Sequence, residues 1–118
     1  MILLEHLTHK ATVTKKTPSD KDEYGTVSYI TETVEVPCFF DMPTEEIKIS
    51  GQGDRTFIAQ GILFVQPTAS IKVNDLVSKI VDRGGNIIKE DDYRVGEIDP
   101  ATDDEGVHHL EVYLINNK

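Results

Sequence analysis

The residue types best suited to chemistry gather late in the chain: Asp99, Asp103, Asp104, Glu105, His108 and His109. Carboxylates and imidazoles together bind zinc or exchange protons in acid–base catalysis. A small metal-dependent hydrolase or binding domain using Asp103, Glu105 and His108 is the enzyme reading of this stretch. The spacing works against it. Val107 to Ile115 alternates as a strand does, so His108, Leu110, Val112 and Leu114 point one way. His109, Glu111, Tyr113 and Ile115 point the other way. Adjacent histidines on a strand diverge, and one metal ion does not easily use both. His6 and His9 stand far away in sequence, and no second cluster supplies the missing ligands. The plainer reading is a solvated acidic loop, Asp99 to Gly106, with its histidines flanking strand packing.

Other motifs fail on similar grounds. Asp104-Glu105-Gly106 suggests a calcium loop, but an EF-hand needs alternating oxygen ligands, a late Glu and flanking helices. Gly51-Gln52-Gly53-Asp54 and Gly84-Gly85 are the glycine-rich points. A phosphate-binding loop needs Lys and then Ser or Thr at the start of a helix. Asp54-Arg55 followed by a β-rich run does not supply that, so both points read as turns. No Ser or Thr sits in a nucleophile-elbow pattern. The pairs Glu45-Glu46 and Asp91-Asp92 are adjacent and diverge on a strand. Cys38 lies in the apolar run PCFFDM and reads as a small buried hydrophobe, not a nucleophile. The sequence thus points to no catalytic residue, no metal and no cofactor.

The elements that would position these residues read mostly as strands. His9 to Lys16 alternates and is rich in β-branched residues. Thr17 to Gly25, TPSDKDEYG, is a polar, turn-rich loop. Thr26 to Phe40 predicts one long strand or two consecutive ones, with Pro37 allowed at an edge, a strand start or a bulge. Asp41 to Arg55 is polar, with a short strand around Ile47 and Ile49 and a mobile Gly51–Gly53 tip. Thr56 to Val65 is again β-rich, and Gly61 marks a bulge or a close backbone approach. After a turn at Gln66 to Asn74, Asp75 to Val81 makes a strand. Asp82 to Asn86 makes a tight turn with two glycines free to take positive φ, and Ile87 and Ile88 begin the return. Tyr93 to Ile98 and Val107 to Ile115 complete the set. No period of 3.6 residues lasts beyond about two turns, so little helix is expected. The fold class is mainly β: a small barrel or sandwich with long loops.

Bulk properties agree with one soluble domain spanning 1–118, with residues 1–8 as an arm and 9–115 as the core. The 118 residues are 38% hydrophobic and 28% charged, without Trp, so the core must rest on Ile, Val and Leu. Twelve basic residues against 21 acidic ones give a formal net charge of −9. That disfavours a nucleic-acid binder, which needs a basic face to displace counterions. It suits a wall along which DNA slides without being gripped. One cysteine allows no intrachain disulfide, so synthesis in a reducing cytosol is expected. The start, MILLEHLTHK, is too short and too charged for a signal peptide or a membrane span.

Four blocks, in this order, carry a resemblance: HKATVTKK, DEYGTVSYITETVEVPCFF, TFIAQGILFVQPTASIKVNDLVSKI and YRVGEIDPATDDEGVHHLEVYL. Over about residues 9–115 the chain resembles the head-closure (stopper) proteins of tailed phages, and the similar small minor capsid and head–tail joining proteins of siphophages and prophages. Where those families commonly place a Gly before the Asp that opens a strand, this chain has Asn74-Asp75, and Asn also tolerates positive φ. The resemblance implies a small β-barrel that is not an enzyme. It implies rings, often twelve-fold, beneath the portal and adaptor proteins, made in the bacterial host cytoplasm and carried in the virion. Such rings close the channel after packaging and present a docking surface to tail proteins, while DNA passes through the lumen without sequence-specific binding. A lumen-facing gate loop is implied, and here it matches Met42 to Arg55, with Glu45, Glu46, Lys48, Gly51, Gly53 and Asp54. Asp99, Asp103, Asp104 and Glu105 are then expected to touch a neighbouring ring. Another minor capsid or tail-completion role is the nearest alternative.

Overall fold

The computed structural model describes residues 6–21, 25, 27–43, 45–50 and 56–116. Among them run nine strands: β1 (His9–Lys21), β2 (Val27–Asp41), β3 (Lys48–Ser50), β4 (Thr56–Ile58), β5 (Gly61–Val65), β6 (Leu76–Val81), β7 (Ile87–Lys89), β8 (Tyr93–Asp103) and β9 (Gly106–Asn116). No α-helix occurs among the described residues. The strands follow the order β1-β2-β5-β9-β8-β6, and β6 pairs back onto β1. The result is a closed, six-stranded antiparallel barrel, one of the two architectures expected. Strand β7 occupies the part of the β6 edge that β8 leaves free. Strands β3 and β4 form a separate two-stranded ribbon.

The alternation seen in the sequence sorts residues between the lumen and the outer wall of the barrel. Val13, Cys38, Leu63, Val65, Val77, Ile80, Val95, Val112 and Leu114 fill the interior with essentially no exposure. Closure is pinned where β1 meets β6: Lys15 Nζ lies 2.5 Å from Asp75 Oδ2, and the Lys72 amide donates to the same oxygen at 2.8 Å. Asn74 takes φ +75, the left-handed conformation its side chain tolerates, and its amide donates to the Val95 carbonyl at 2.8 Å. Gly61 makes the expected close approach, since a Cβ there would stand 2.4 Å from Phe40 Cε2.

Three segments differ from the sequence reading. The polar stretch after Lys16 is not all loop: β1 continues to Lys21, paired with β2 as far as Lys21–Val27, with a register shift after Pro18. Pro18 is tolerated because β6 has already left β1 at Thr14, so that edge needs no amide donor. The acidic segment from Asp99 to Gly106 is likewise mostly strand, with a turn of only Asp104 and Glu105. Its Pro100 lies on a β8 edge that β6 pairs only at Tyr93 and Arg94. Thr56 to Val65 breaks at Ala59 and Gln60, whose amides donate to Ile47 (2.9 Å) and Leu114 (2.7 Å). Smaller points also emerge. Strand β2 is a single strand, and Pro37 sits one residue before its pairing with β5 begins at Cys38. Of the two turn glycines, Gly85 alone takes positive φ, because Asp82 Oδ1 already ties down the Gly84 and Asn86 amides at 2.9 Å each. Of the expected N-terminal arm, residues 6–8 are described, and Leu7 is buried.

Candidate functional site

Two hairpins and one patch of wall stand out. The first hairpin is β3–β4, within the expected gate segment. It pairs Lys48 with Ile58, Ile49 with Phe57 and Ser50 with Thr56. Glu45, Glu46 and Lys48 are exposed, and Lys48 Nζ lies 3.8 Å from Glu46 Oε1 across open solvent. An exposed pair of that length contributes little. Gly51, Gly53 and Asp54 lie outside the described residues.

A two-stranded ribbon is marginal alone, so its base must be held. Ile49, only 4% exposed, does this by packing on the outside of the barrel. The receiving surface is Gly96, the extra residue of a bulge: Val95 faces Leu114 and Glu97 faces Tyr113. A Cβ on Gly96 would stand 2.6 Å from Ile49 Cδ1 and 3.0 Å from Ile115 Cγ2. Arg94 adds a second contact, its guanidinium carbon 5.7 Å from the centre of the Phe57 ring. Gly96 was present in the sequence run YRVGEI, but nothing local linked it to Ile49, 47 positions earlier.

The second hairpin, β8–β9, holds the residues that the resemblance assigns to a neighbouring ring. Asp99, Asp103, Asp104 and Glu105 are all exposed. From Glu97 to Glu111 the sequence has six carboxylates and neither Lys nor Arg. Asp103 Oδ1 accepts the Glu105 amide at 2.8 Å, and Gly106 takes φ +118, so the tip is a defined turn. Asp103, Glu105 and His108 are not brought together as ligands. Among the described residues no group of three or more His, Cys, Asp and Glu is arranged to hold a metal ion.

The patch of wall was not foreseen. His108 and His109 do not diverge: their Nδ1 atoms lie 2.8 Å apart. The cause is a second bulge. Ala101 faces His109 and Thr102 faces Val107, leaving His108 as the extra residue. A bulge disturbs the strict alternation of the strand, and here it brings both rings to one side. His109 lies 5.5 Å from Phe64, Phe64 lies 6.4 Å from Phe39, and Phe39 stacks on His9 at 4.9 Å. A row of rings therefore crosses β1, β2, β5 and β9 on the outer wall. At one end the Phe40 amide donates to His9 Nδ1 at 3.0 Å. At the other, His109 Nε2 lies 3.4 Å from Glu111 Oε1, and the Tyr113 hydroxyl donates to Glu111 Oε2 at 3.2 Å. Burial first, then Glu111, Asp99 and Glu97, push the Tyr113 phenol up to about 12. The sequence signal was outward-facing aromatics on strands that proved to be neighbours, as in the Phe39–Phe64 pair.

Burial in the barrel pushes the Cys38 thiol up to about 12, and its side chain has no exposure. It stays a neutral thiol near neutral pH, which is the structural role read from its apolar run. No family model matches the sequence, and no curated protein matches it significantly.

Proposed function

We propose that the chain is a structural subunit of a siphophage or prophage head-to-tail connector, assembling as a ring that closes the DNA channel after packaging and gives the tail a docking surface. The observation that carries this reading is a closed barrel with ribbons reaching beyond it. Closure leaves few free strand edges for pairing with another chain. The β1–β2 ribbon runs past the point where β6 and β5 leave it, and Ile30, Thr31, Glu32 and Thr33 on it are exposed. The molecule is accordingly long, 50 Å against 34 and 32 Å. A ribbon of that kind gains stability when a neighbour covers it. Head-to-tail contact between such subunits closes a ring when the rotation allows.

In this reading β3–β4 is the gate element, held on the barrel through Ile49 and Phe57, with Glu45 and Glu46 beside its start facing the DNA channel. The acidic β8–β9 tip meets a neighbouring ring, and portal, adaptor and tail proteins are the other partners. A net charge of −9 keeps passing DNA from being gripped. Among the described residues no helix is long and apolar enough to cross a membrane. The test is to replace Glu45 to Gly53 by a short flexible linker and produce particles with that chain. The barrel is expected to fold, while heads lose packaged DNA before tails attach. Heads that keep their DNA and join tails normally would overturn the gate assignment.

A further inference from the structure

Three of the four histidines fall on the aromatic row, and their ring nitrogens are used in a way that depends on charge. We propose that this row is a proton-responsive latch, closed while the imidazoles share their hydrogens and opened when acid fills the nitrogens that accept them. This is a property of the single chain and does not depend on the connector reading.

At the His9 end, Nδ1 accepts the Phe40 amide hydrogen at 3.0 Å. A nitrogen that accepts cannot itself be protonated, so an imidazolium would set N–H against N–H and break the bond. The bond ties the start of β1 to β2 at Phe40, which pairs with Leu63 of β5. At the His108–His109 end, two Nδ1 atoms at 2.8 Å leave room for one hydrogen, donated by one ring and accepted by the other. A singly protonated pair keeps the bond, imidazolium to imidazole; only when both rings are protonated do two donors, and two positive rings, face each other.

Charged groups stand around both ends. His109 faces Glu111 on its own strand, with Asp99 opposite Glu111 and Glu97 opposite Tyr113 on β8, while β5 contributes the uncharged Phe64. With both rings protonated neither Nδ1 could accept, and the pair would part. Around His9 the charges are mixed: Lys10 on β1, Glu35 on β2, and Asp82 and Arg83 in the β6–β7 turn line the same groove of about 480 Å³. The ring contacts from His9 through Phe39 and Phe64 to His109 join the two ends. Phe39, 40% exposed at the middle of the row, is the residue whose packing an opening would change.

The experiment is amide hydrogen exchange by NMR on the full chain, read as the protection factor of Phe40 at about pH 7.5 and 5.5, a range that spans ordinary histidine titration. Loss of one hydrogen bond is expected to lower that protection about five- to tenfold on acidification. In His9→Phe, which keeps the stack and removes the acceptor, protection is expected to be low at both pH values. Unchanged protection in the natural chain, or an equal fall in His9→Phe, overturns the latch. A measurement without substitution stands beside it: nitrogen chemical shifts at neutral pH are expected to show His9 Nδ1 bare, and a proton on that atom would overturn the proposal.

Discussion

Gly96 and Ile49 offer the sharpest test of how the β3–β4 ribbon is held. In Gly96→Ala the new methyl would lie 2.6 Å from Ile49 Cδ1 and 3.0 Å from Ile115 Cγ2. Carbon atoms sit comfortably at about 3.5–4.0 Å, so the first contact is short by about 1 Å and the second by about half that. Ile115 Cγ2 is fixed on a β-branched residue of β9, so Ile49 must yield. Overpacking of this kind costs about 1–3 kcal/mol. Ile49→Val removes the offending Cδ1 and alone costs about 0.5–1.5 kcal/mol. In the double variant the 2.6 Å clash no longer exists. Its cost should therefore fall below the sum of the two singles by about 1 kcal/mol, within the range seen for residues in contact. Urea unfolding followed by far-ultraviolet circular dichroism measures all four chains, and exchange of the Ile49 and Phe57 amides reports the ribbon directly. Gly96→Ala should raise exchange there and the double variant should restore it. Additivity within about 0.3 kcal/mol, or a neutral Gly96→Ala, would refute the claim that Ile49 is seated on Gly96.

Three other outcomes follow from the same geometry. Asp75→Ala removes both the Lys15 partner and the acceptor for the Lys72 amide; it should cost about 1–3 kcal/mol in thermal or urea melts, with exchange rising first along the β1–β6 seam. Gly61→Ala forces the Phe40 ring back from a 2.4 Å contact and should lower the melting temperature by at least about 4 °C, the effect of about 1 kcal/mol in a domain of this size. Alkali should unfold the protein in a defined window. The Cys38 thiol is raised from 9.0 to about 12 and the Tyr113 phenol from 10.0 to about 12. The unfolded chain therefore loses these protons first, and stability present below pH 9 is lost as pH rises toward 12. Cys38→Ala should flatten the first part of that loss and Tyr113→Phe the later part, in melts across that range.

The barrel was readable because local alternation coincides with its inside and outside. Val112 and Leu114 on one side of β9, against Glu111 and Tyr113 on the other, needed no tertiary knowledge. Ile115 shows where this runs out: it lies on the outer side yet is 2% exposed, because a ribbon from a distant part of the chain covers it. The two long hairpins were underestimated for a related reason. Polar residues such as Thr17 to Lys21 and Asp99 to Asp103 resemble loops, yet a partner strand satisfies their backbone as well as water does. His108 and His109 were separated by an alternation rule that a single extra residue cancels. The position of a bulge depends on the register of the opposing strand, and that register is not written in either strand alone. Glu45, Glu46 and Lys48 were correctly read as polar, whereas their attachment through Ile49 was not legible.

The most direct measurement of the central proposal is electron microscopy of connectors purified from particles carrying this chain with a small tag. A ring of its barrels coaxial with the portal is expected, with the β3–β4 ribbon reaching into the DNA channel and the β8–β9 tip against the next ring. Particles that lack the chain, or a chain placed away from the channel axis, would contradict it.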